Sequence, residues 1–240
     1  MIKIENVSTA GFEPAVRGMR NPMNSWERSD SQVCKCEDGF EDCCIEVHGD
    51  CPRGDEDDFK EEVFCIGKDD FELMQRLAKA GTDHRKYLRM IVVFADITAP
   101  LYWWSEYDTY KVGTVANSCS KMHKLHTRDL TADDFSAEGM MRADECGLED
   151  VCKSPILLFA NTLKTINACR KKFMETGDKK WWVQMVKLLP NSYNQKRTVM
   201  LSYEVLANIY HARKNHKLQE WQDFCKWIET LPYTEVFIGV

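Results

Sequence analysis

His84-Arg85-Lys86-Tyr87-Leu88-Arg89-Met90-Ile91-Val92-Val93-Phe94-Ala95-Asp96-Ile97-Thr98-Ala99-Pro100-Leu101-Tyr102-Trp103-Trp104-Ser105-Glu106-Tyr107-Asp108-Thr109-Tyr110-Lys111-Val112-Gly113-Thr114 is the stretch on which the fold turns. Ile91-Val92-Val93-Phe94 is a run of β-branched and aromatic residues, which predicts a strand. Thr98 followed by Pro100 predicts an N-cap with a first-turn proline, so the strand feeds into a helix that Gly113 can end. Beyond it Thr114, Asn117, Ser118 and Ser120 form a hydroxyl and amide cluster suited to grip a phosphate or a base edge. A pocket of nucleotide size is the expectation.

Working outward, the N-terminal side opens with Ile2, Ile4 and Val7 in a strand-like pattern. Arg17, Arg20, Pro22 and Trp26 follow in a turn-rich segment whose two arginines read as surface residues, or as a substrate contact. A helix is signalled from Asp69, with Asp69 or Asp70 as cap, Leu73, Met74, Leu77 and Ala78 as its apolar stripe, and Gly81 as its end. On the C-terminal side Thr131, with Asp134 three residues later, predicts a capped helix carrying Phe135, Met140 and Met141. Ser154-Pro155 begins the longest helix, which Gly177 stops. A short amphipathic helix over 181–189 ends at Pro190, and 196–203 alternates as a strand. From Glu204 a helix places Asn208, His211 and Arg213 on a shared polar face, and a last helix carries Trp221, Phe224, Cys225 and Ile228. The sum is α+β: a short-stranded, mostly antiparallel sheet packed with about six helices.

The chain has 240 residues, 44% of them hydrophobic and seven of them tryptophan. That suits a single domain over 1–240 with a Cys-rich insertion at about 33–66. Lysine and arginine total 32 against 38 acidic residues, a net charge of −6, so there is no broad basic field for a nucleic acid polymer. No apolar run nears the roughly 18 residues of a membrane span, and Met1-Ile2-Lys3-Ile4-Glu5 shows no secretory pattern. A cytoplasmic protein with reduced thiols is expected. Six of the eleven cysteines lie between Cys34 and Cys65, but there is no CxxC pair, so no metal site is assigned. A metal-organised interaction module in that insertion is the alternative. No GxGxxG, P-loop or GxSxG motif occurs.

Two stretches resemble the flavin-dependent thymidylate synthases, over roughly residues 75–230. The family signature is R-H-R-x2-S-x-N-E-x-S-x-R-Y, behind a strand and an upstream histidine. Thr109-Tyr110-Lys111-Val112-Gly113-Thr114 and Asn117-Ser118-Cys119-Ser120-Lys121-Met122-His123 occupy that frame behind His84. The family then has leucine-proline, a strand, and a helix with an asparagine and an arginine five residues on; here these are Leu189-Pro190, the strand near Thr198, Asn208 and Arg213.

The resemblance implies a homotetramer that holds FAD and methylates dUMP, or a related pyrimidine nucleotide, with methylenetetrahydrofolate as carbon donor and NADPH as reductant. It places His84, Tyr110, Lys111 and Asn208 at the cofactor. Asn117, Ser118, Ser120, Lys121 and Lys187 fall at the nucleotide, with Arg197 a further phosphate partner, and Arg213 faces the uracil as the catalytic cation. The chain departs from the pattern at Thr109, Tyr110 and Lys111, where the signature has arginine, histidine and arginine. Ser118 replaces the glutamate, Met122 an arginine, and Glu204 a second arginine. An inactive nucleotide-binding or assembly protein on the same fold is the alternative these losses raise.

Overall fold

The computed structural model describes residues 2–34, 63–120, 124–147 and 154–239. Lys121 and the cysteines between Cys34 and Cys65 lie outside the described residues. The strands are β1 (Lys3–Ala10), β2 (Gln32–Cys34), β3 (Val63–Cys65), β4 (Val92–Pro100), β5 (Thr114–Ser118) and β6 (Asn194–Ser202). The helices are α1 (Phe12–Arg20), α2 (Lys68–Lys79), α3 (Leu101–Tyr107), α4 (Ala143–Cys146), α5 (Pro155–Thr176), α6 (Lys179–Leu188), α7 (Tyr203–Arg213), α8 (Gln219–Glu229) and α9 (Glu235–Ile238). Nine helices are thus described rather than about six, the excess being short ones.

Four strands form one sheet in the order β1-β4-β6-β5, and β2 pairs antiparallel with β3. Gln32 faces Cys65 and Cys34 faces Val63 in this small ladder. The Tyr203 N–H donates to Ile91 C=O and the Leu101 N–H to Tyr193 C=O. Numbers fall along one strand as they rise along the other, so β4 and β6 run antiparallel. Ser202 N–H to Gly113 C=O and Cys119 N–H to Lys196 C=O show that β5 and β6 also run antiparallel.

The chain divides into two compact units. The first comprises 1–6, 95–110 and 116–199. Its helical hairpin of α5 and α6 buries Ile166, Cys169 and Met185 with Leu125, Leu130 and Phe135. Ser154 Oγ accepts the Leu157 N–H, Pro155 starts α5, and Gly177 ends it at φ 67°. Trp103, Trp104 and Tyr107 of α3 pack on one another as core, and the Trp104 Nε1–H donates to Gln195 C=O at 2.9 Å. The helix expected from Thr131 is instead a 3-10 turn, Ala132–Asp134. The capping box forms, but Phe135 turns extended to bridge Tyr193, so the helix cannot propagate. The helix from Thr98 begins at Leu101 and ends at Tyr107, well before Gly113, which instead leads into β5.

The second unit comprises 7–94, 111–115 and 200–240. The turn-rich reading of residues 17–26 gives way to α1, whose Ala15, Val16 and Met19 are buried. Arg20 is not a surface residue: its side chain is 5% exposed and its Nε–H donates to Asp70 Oδ1 at 2.5 Å. Asp70 therefore does not cap α2. Asp30 does that work from a distance, its carboxylate accepting the N–H groups of Asp69 and Asp70. Tyr203 anchors the remaining helices, with its ring edge-on to Phe12 and Phe237 and its hydroxyl donating to Pro232 C=O.

Candidate functional site

Helix α7 is apolar nearly all round: Val205, Leu206, Ala207, Ile209 and Tyr210 are buried. Ser202 caps it, its Oγ accepting the Val205 N–H, and Glu204 sits in the first turn, where the helix dipole favours a negative charge. Glu204 and Asn208 are four residues apart and share one face. That face meets the 3-10 helix Arg85–Arg89.

The 3-10 helix is fixed by its middle. Tyr87 and Leu88 are buried, and the Tyr87 hydroxyl donates to Met74 C=O at 2.7 Å. Burial pushes that phenol well above its ordinary range, so it stays a donor. Arg85 and Arg89 flank this anchor and turn to α7. Arg89 makes a two-point contact with Glu204, Nε to Oε2 at 2.5 Å and Nη2 to Oε1 at 3.1 Å. The hydrogen bond to Glu204 and its charge hold the Arg89 proton more firmly than usual. Arg85 donates from Nη2 to Asn208 Oδ1 at 3.0 Å, and its Nε lies 3.7 Å from Glu204 Oε1. Among the described residues, that buried Nε has no hydrogen-bond partner.

Gly113 brings a second segment to the start of α7. Its C=O accepts the Ser202 N–H, and a Cβ there would meet Ser202 Oγ at 3.0 Å and Val205 Cγ2 at 3.1 Å. With φ at 80°, glycine suits this approach, and Lys111 stands exposed two residues before it. His84, also exposed, precedes the 3-10 helix, its N–H donating to Gly81 C=O.

The second unit therefore gathers Arg85, Arg89, Glu204 and Asn208, with His84 directly before the 3-10 helix and Lys111 two residues before the glycine that meets α7. Arg213 goes elsewhere. It lies nine residues past Glu204, about 14 Å along the helix, with its guanidinium carbon 4.9 Å from the Trp221 ring centre. His211 faces the Phe237 C=O at 2.9 Å, so Asn208, His211 and Arg213 do not share one polar face.

The other nominated residues lie in the first unit. Tyr110 closes a turn on Tyr107 C=O, and Asn117 and Ser118 are exposed on β5, the edge strand, as adjacent residues pointing to opposite faces. The Ser120 C=O accepts the Lys124 N–H, and Lys187 is exposed on α6. Arg197 is engaged by Asp108 at 2.7 Å and stacks 4.1 Å from the Trp104 ring centre. Arg85 and Arg89 were not singled out by sequence reasoning. Their signal was a pair of cations four residues apart in the opening stretch.

The chemistry of the donor set fits an acceptor-rich group. Asn208 is exposed, and with its oxygen accepting from Arg85 its NH2 remains as a donor beside the guanidinium groups. Diphosphate, flavin carbonyls and uracil oxygens are acceptors of that kind, so the residues present fit FAD. Among the described residues no group of three or more His, Cys, Asp or Glu is placed to hold a metal, and no helix is long and apolar enough to cross a membrane.

No protein-family model and no curated protein matches the sequence. Solved structures do. Thymidylate Synthase X (ThyX) from Helicobacter pylori with FAD and dUMP is similar with a TM-score of 0.62 at 15% identity, over 100% of this chain and 98% of that one. A second structure of that enzyme complexed with FAD and dUMP gives 0.61 at 16% identity, over 98% and 99%. A UMP/dUMP methylase, PolB from Streptomyces cacaoi bound with 5-Br UMP, gives 0.58 at 13%, over 100% and 95%. At this identity the likeness establishes the fold: the chain is folded as the flavin-dependent thymidylate synthases are, with an antiparallel sheet and mixed helices among the described residues.

Proposed function

We propose that the chain is a flavin-dependent methyltransferase that acts at C5 of dUMP or a related pyrimidine nucleotide, with methylenetetrahydrofolate as carbon donor and NADPH as reductant. It works as a cytoplasmic homotetramer. The observation that carries this reading is the gathering of Arg85, Arg89 and Asn208 around Glu204, on a fold shared with enzymes solved with FAD and dUMP. The likeness to a UMP/dUMP methylase supports UMP as the related substrate.

In this reading His84, Lys111 and Asn208, with Tyr110, hold the cofactor. Asn208 donates to a flavin carbonyl from its free NH2, its orientation fixed by Arg85. When bound, FAD would supply the hydride that completes the methyl group. Asn117, Ser118, Ser120, Lys121 and Lys187 bind the nucleotide, orienting it by hydroxyl, amide and cation contacts. Arg213 polarises a uracil carbonyl as negative charge develops on the ring. None of the described thiols is needed as a nucleophile, and Cys225 is unfit for it: burial and then Glu229 push its thiol up to about 11.

The test is the visible spectrum of purified protein after FAD is added and the excess removed, followed by assay of methyl transfer to dUMP and UMP. Retained flavin and turnover are expected. Protein that stays colourless and inactive overturns the reading. A second reading, nucleotide binding without catalysis, is favoured by one observation, the engagement of Arg213 with Trp221. Turnover rules it out.

A further inference from the structure

Glu204 stands where the family pattern has an arginine, which looks like an anion site turned repulsive. Its surroundings say otherwise. Both of its carboxylate oxygens are taken by Arg89, and Oε1 also lies within ion-pair range of Arg85. Arg85, Lys86 and Arg89 bring three cations within five residues, against the carboxylates of Glu204 and Asp83 that act on Arg89. The surplus is positive.

The hydrogen-bond inventory points the same way. Arg89 uses Nε and Nη2, which leaves Nη1, and its side chain is 55% exposed. Arg85 uses Nη2 on Asn208 and turns its buried Nε towards Glu204 Oε1, 3.7 Å away, which leaves Nη1. A fork held at one edge by a carboxylate presents its remaining N–H groups in a fixed direction.

We propose that Glu204 is a positioning residue that holds Arg85 and Arg89 as a two-guanidinium clamp for a phosphate or diphosphate group, which restores from outside the signature the cations that the signature has lost here. The inference rests on the nucleotide and flavin reading above for the identity of the ligand. The anion class itself follows from the donors. The ligand is a phosphate-bearing cofactor or nucleotide, and inorganic pyrophosphate is the probe that separates the clamp from the rest of the site.

The sign of the effect at Glu204 decides the matter. If the carboxylate only repelled an anion, Glu204→Gln would tighten binding. As a positioning residue its loss frees both arginines, so Glu204→Gln weakens binding although it removes a negative charge. Titrations of the full-length wild type, Glu204→Gln, Arg89→Ala and Lys172→Ala with pyrophosphate and with FAD, followed by calorimetry and by thermal shift, are the experiment. The expected result is a loss of about tenfold or more in Glu204→Gln and Arg89→Ala for both probes, and a change within about twofold in Lys172→Ala. Unchanged or tighter binding in Glu204→Gln overturns the clamp. Wild type that ignores pyrophosphate overturns it too, whatever FAD does. Wild type that binds pyrophosphate but not FAD keeps the clamp and removes the flavin reading. Should Glu204→Gln fail to fold, Arg89→Lys keeps the charge and loses the fork; full binding in that variant overturns the proposal.

Discussion

Arg20 and Asp70 form an ion pair almost sealed from solvent, at 5% and 0% side-chain exposure, with Nε and Oδ1 2.5 Å apart. Asp70 also accepts from Ser29 Oγ, Ser31 Oγ and the Ser31 N–H, all on Oδ2, so both of its oxygens are engaged. Burial raises its pKa, but the serine hydrogen bonds and then Arg20 outweigh this and hold the carboxyl below its ordinary value.

Removing one partner of such a pair strands the other charge, so Asp70→Ala should destabilise the protein by about 3–5 kcal/mol. Ser29→Ala, which removes one of several donors, should cost about 1 kcal/mol. Urea unfolding at neutral pH measures both. Equal effects in the two variants would show that the charge is not what matters here.

Gly11 lies against the backbone of Met90, and a Cβ there would stand 2.1 Å from the Met90 oxygen. Its φ is 95°, a region that L-residues seldom adopt, and the clash is with backbone that cannot rotate away. Gly11→Ala should therefore cost about 2 kcal/mol or more. Because Met90 directly follows Arg89, the same variant should weaken pyrophosphate binding. A stability loss with unaltered binding would show that the strain is absorbed before it reaches the arginines.

Much of this fold was legible because its punctuation is local. Ser154, Pro155 and Gly177 bound α5 as a sequence reading expects, the strand at 92–100 announces itself by the run Ile91-Val92-Val93-Phe94, and that at 194–202 by the alternation of Val199 and Leu201. Helix α1 was missed because Gly18 and Pro22 read as turn residues, while Ala15, Val16 and Met19 carried the helical spacing. The helix from Thr131 was overcalled for the opposite reason: a capping box stabilises one turn, but the pull of Tyr193 on Phe135 is tertiary. At the candidate site, His84 and Asn208 were chosen by resemblance. Glu204 could only be read as a lost cation, because its partner Arg89 lies 115 residues away and nothing local in the sequence joins them.

Asp96 supplies a pH dependence of known sign. Its carboxylate accepts from Thr198 Oγ1 at 2.6 Å and Asn6 Nδ2 at 2.9 Å, and Lys196 Nζ is 3.1 Å away. Thr198 first, then Asn6 and Lys196, lower its pKa from 3.8 to about 2. A depressed folded pKa means that the stabilisation is fully present above the unfolded value and is lost as pH falls through the folded one. The stability gap between wild type and Asp96→Asn should thus hold steady from neutral pH to about 5, then close as pH drops from 3.8 towards about 2. Urea midpoints across that range measure it. A gap that persists at the acid end would mean the contribution is packing, not ionisation.

Arg213 has two possible tasks, and they separate experimentally. Its guanidinium lies over the buried ring of Trp221, a cation–π contact worth about 0.5–2 kcal/mol that Arg213→Ala should remove from stability. Arg213→Lys keeps a cation near the ring and should lose less than half of that. If the guanidinium also polarises the uracil carbonyl, the lysine variant, which has no planar fork, should keep nucleotide affinity within a few-fold while kcat falls by about 10²–10³. The lysine variant would then keep most of its stability and lose most of its kcat. If kcat instead tracks the small stability loss in both, Arg213 is a packing residue of α7 and α8, and the charge that develops on the pyrimidine must be met by another donor.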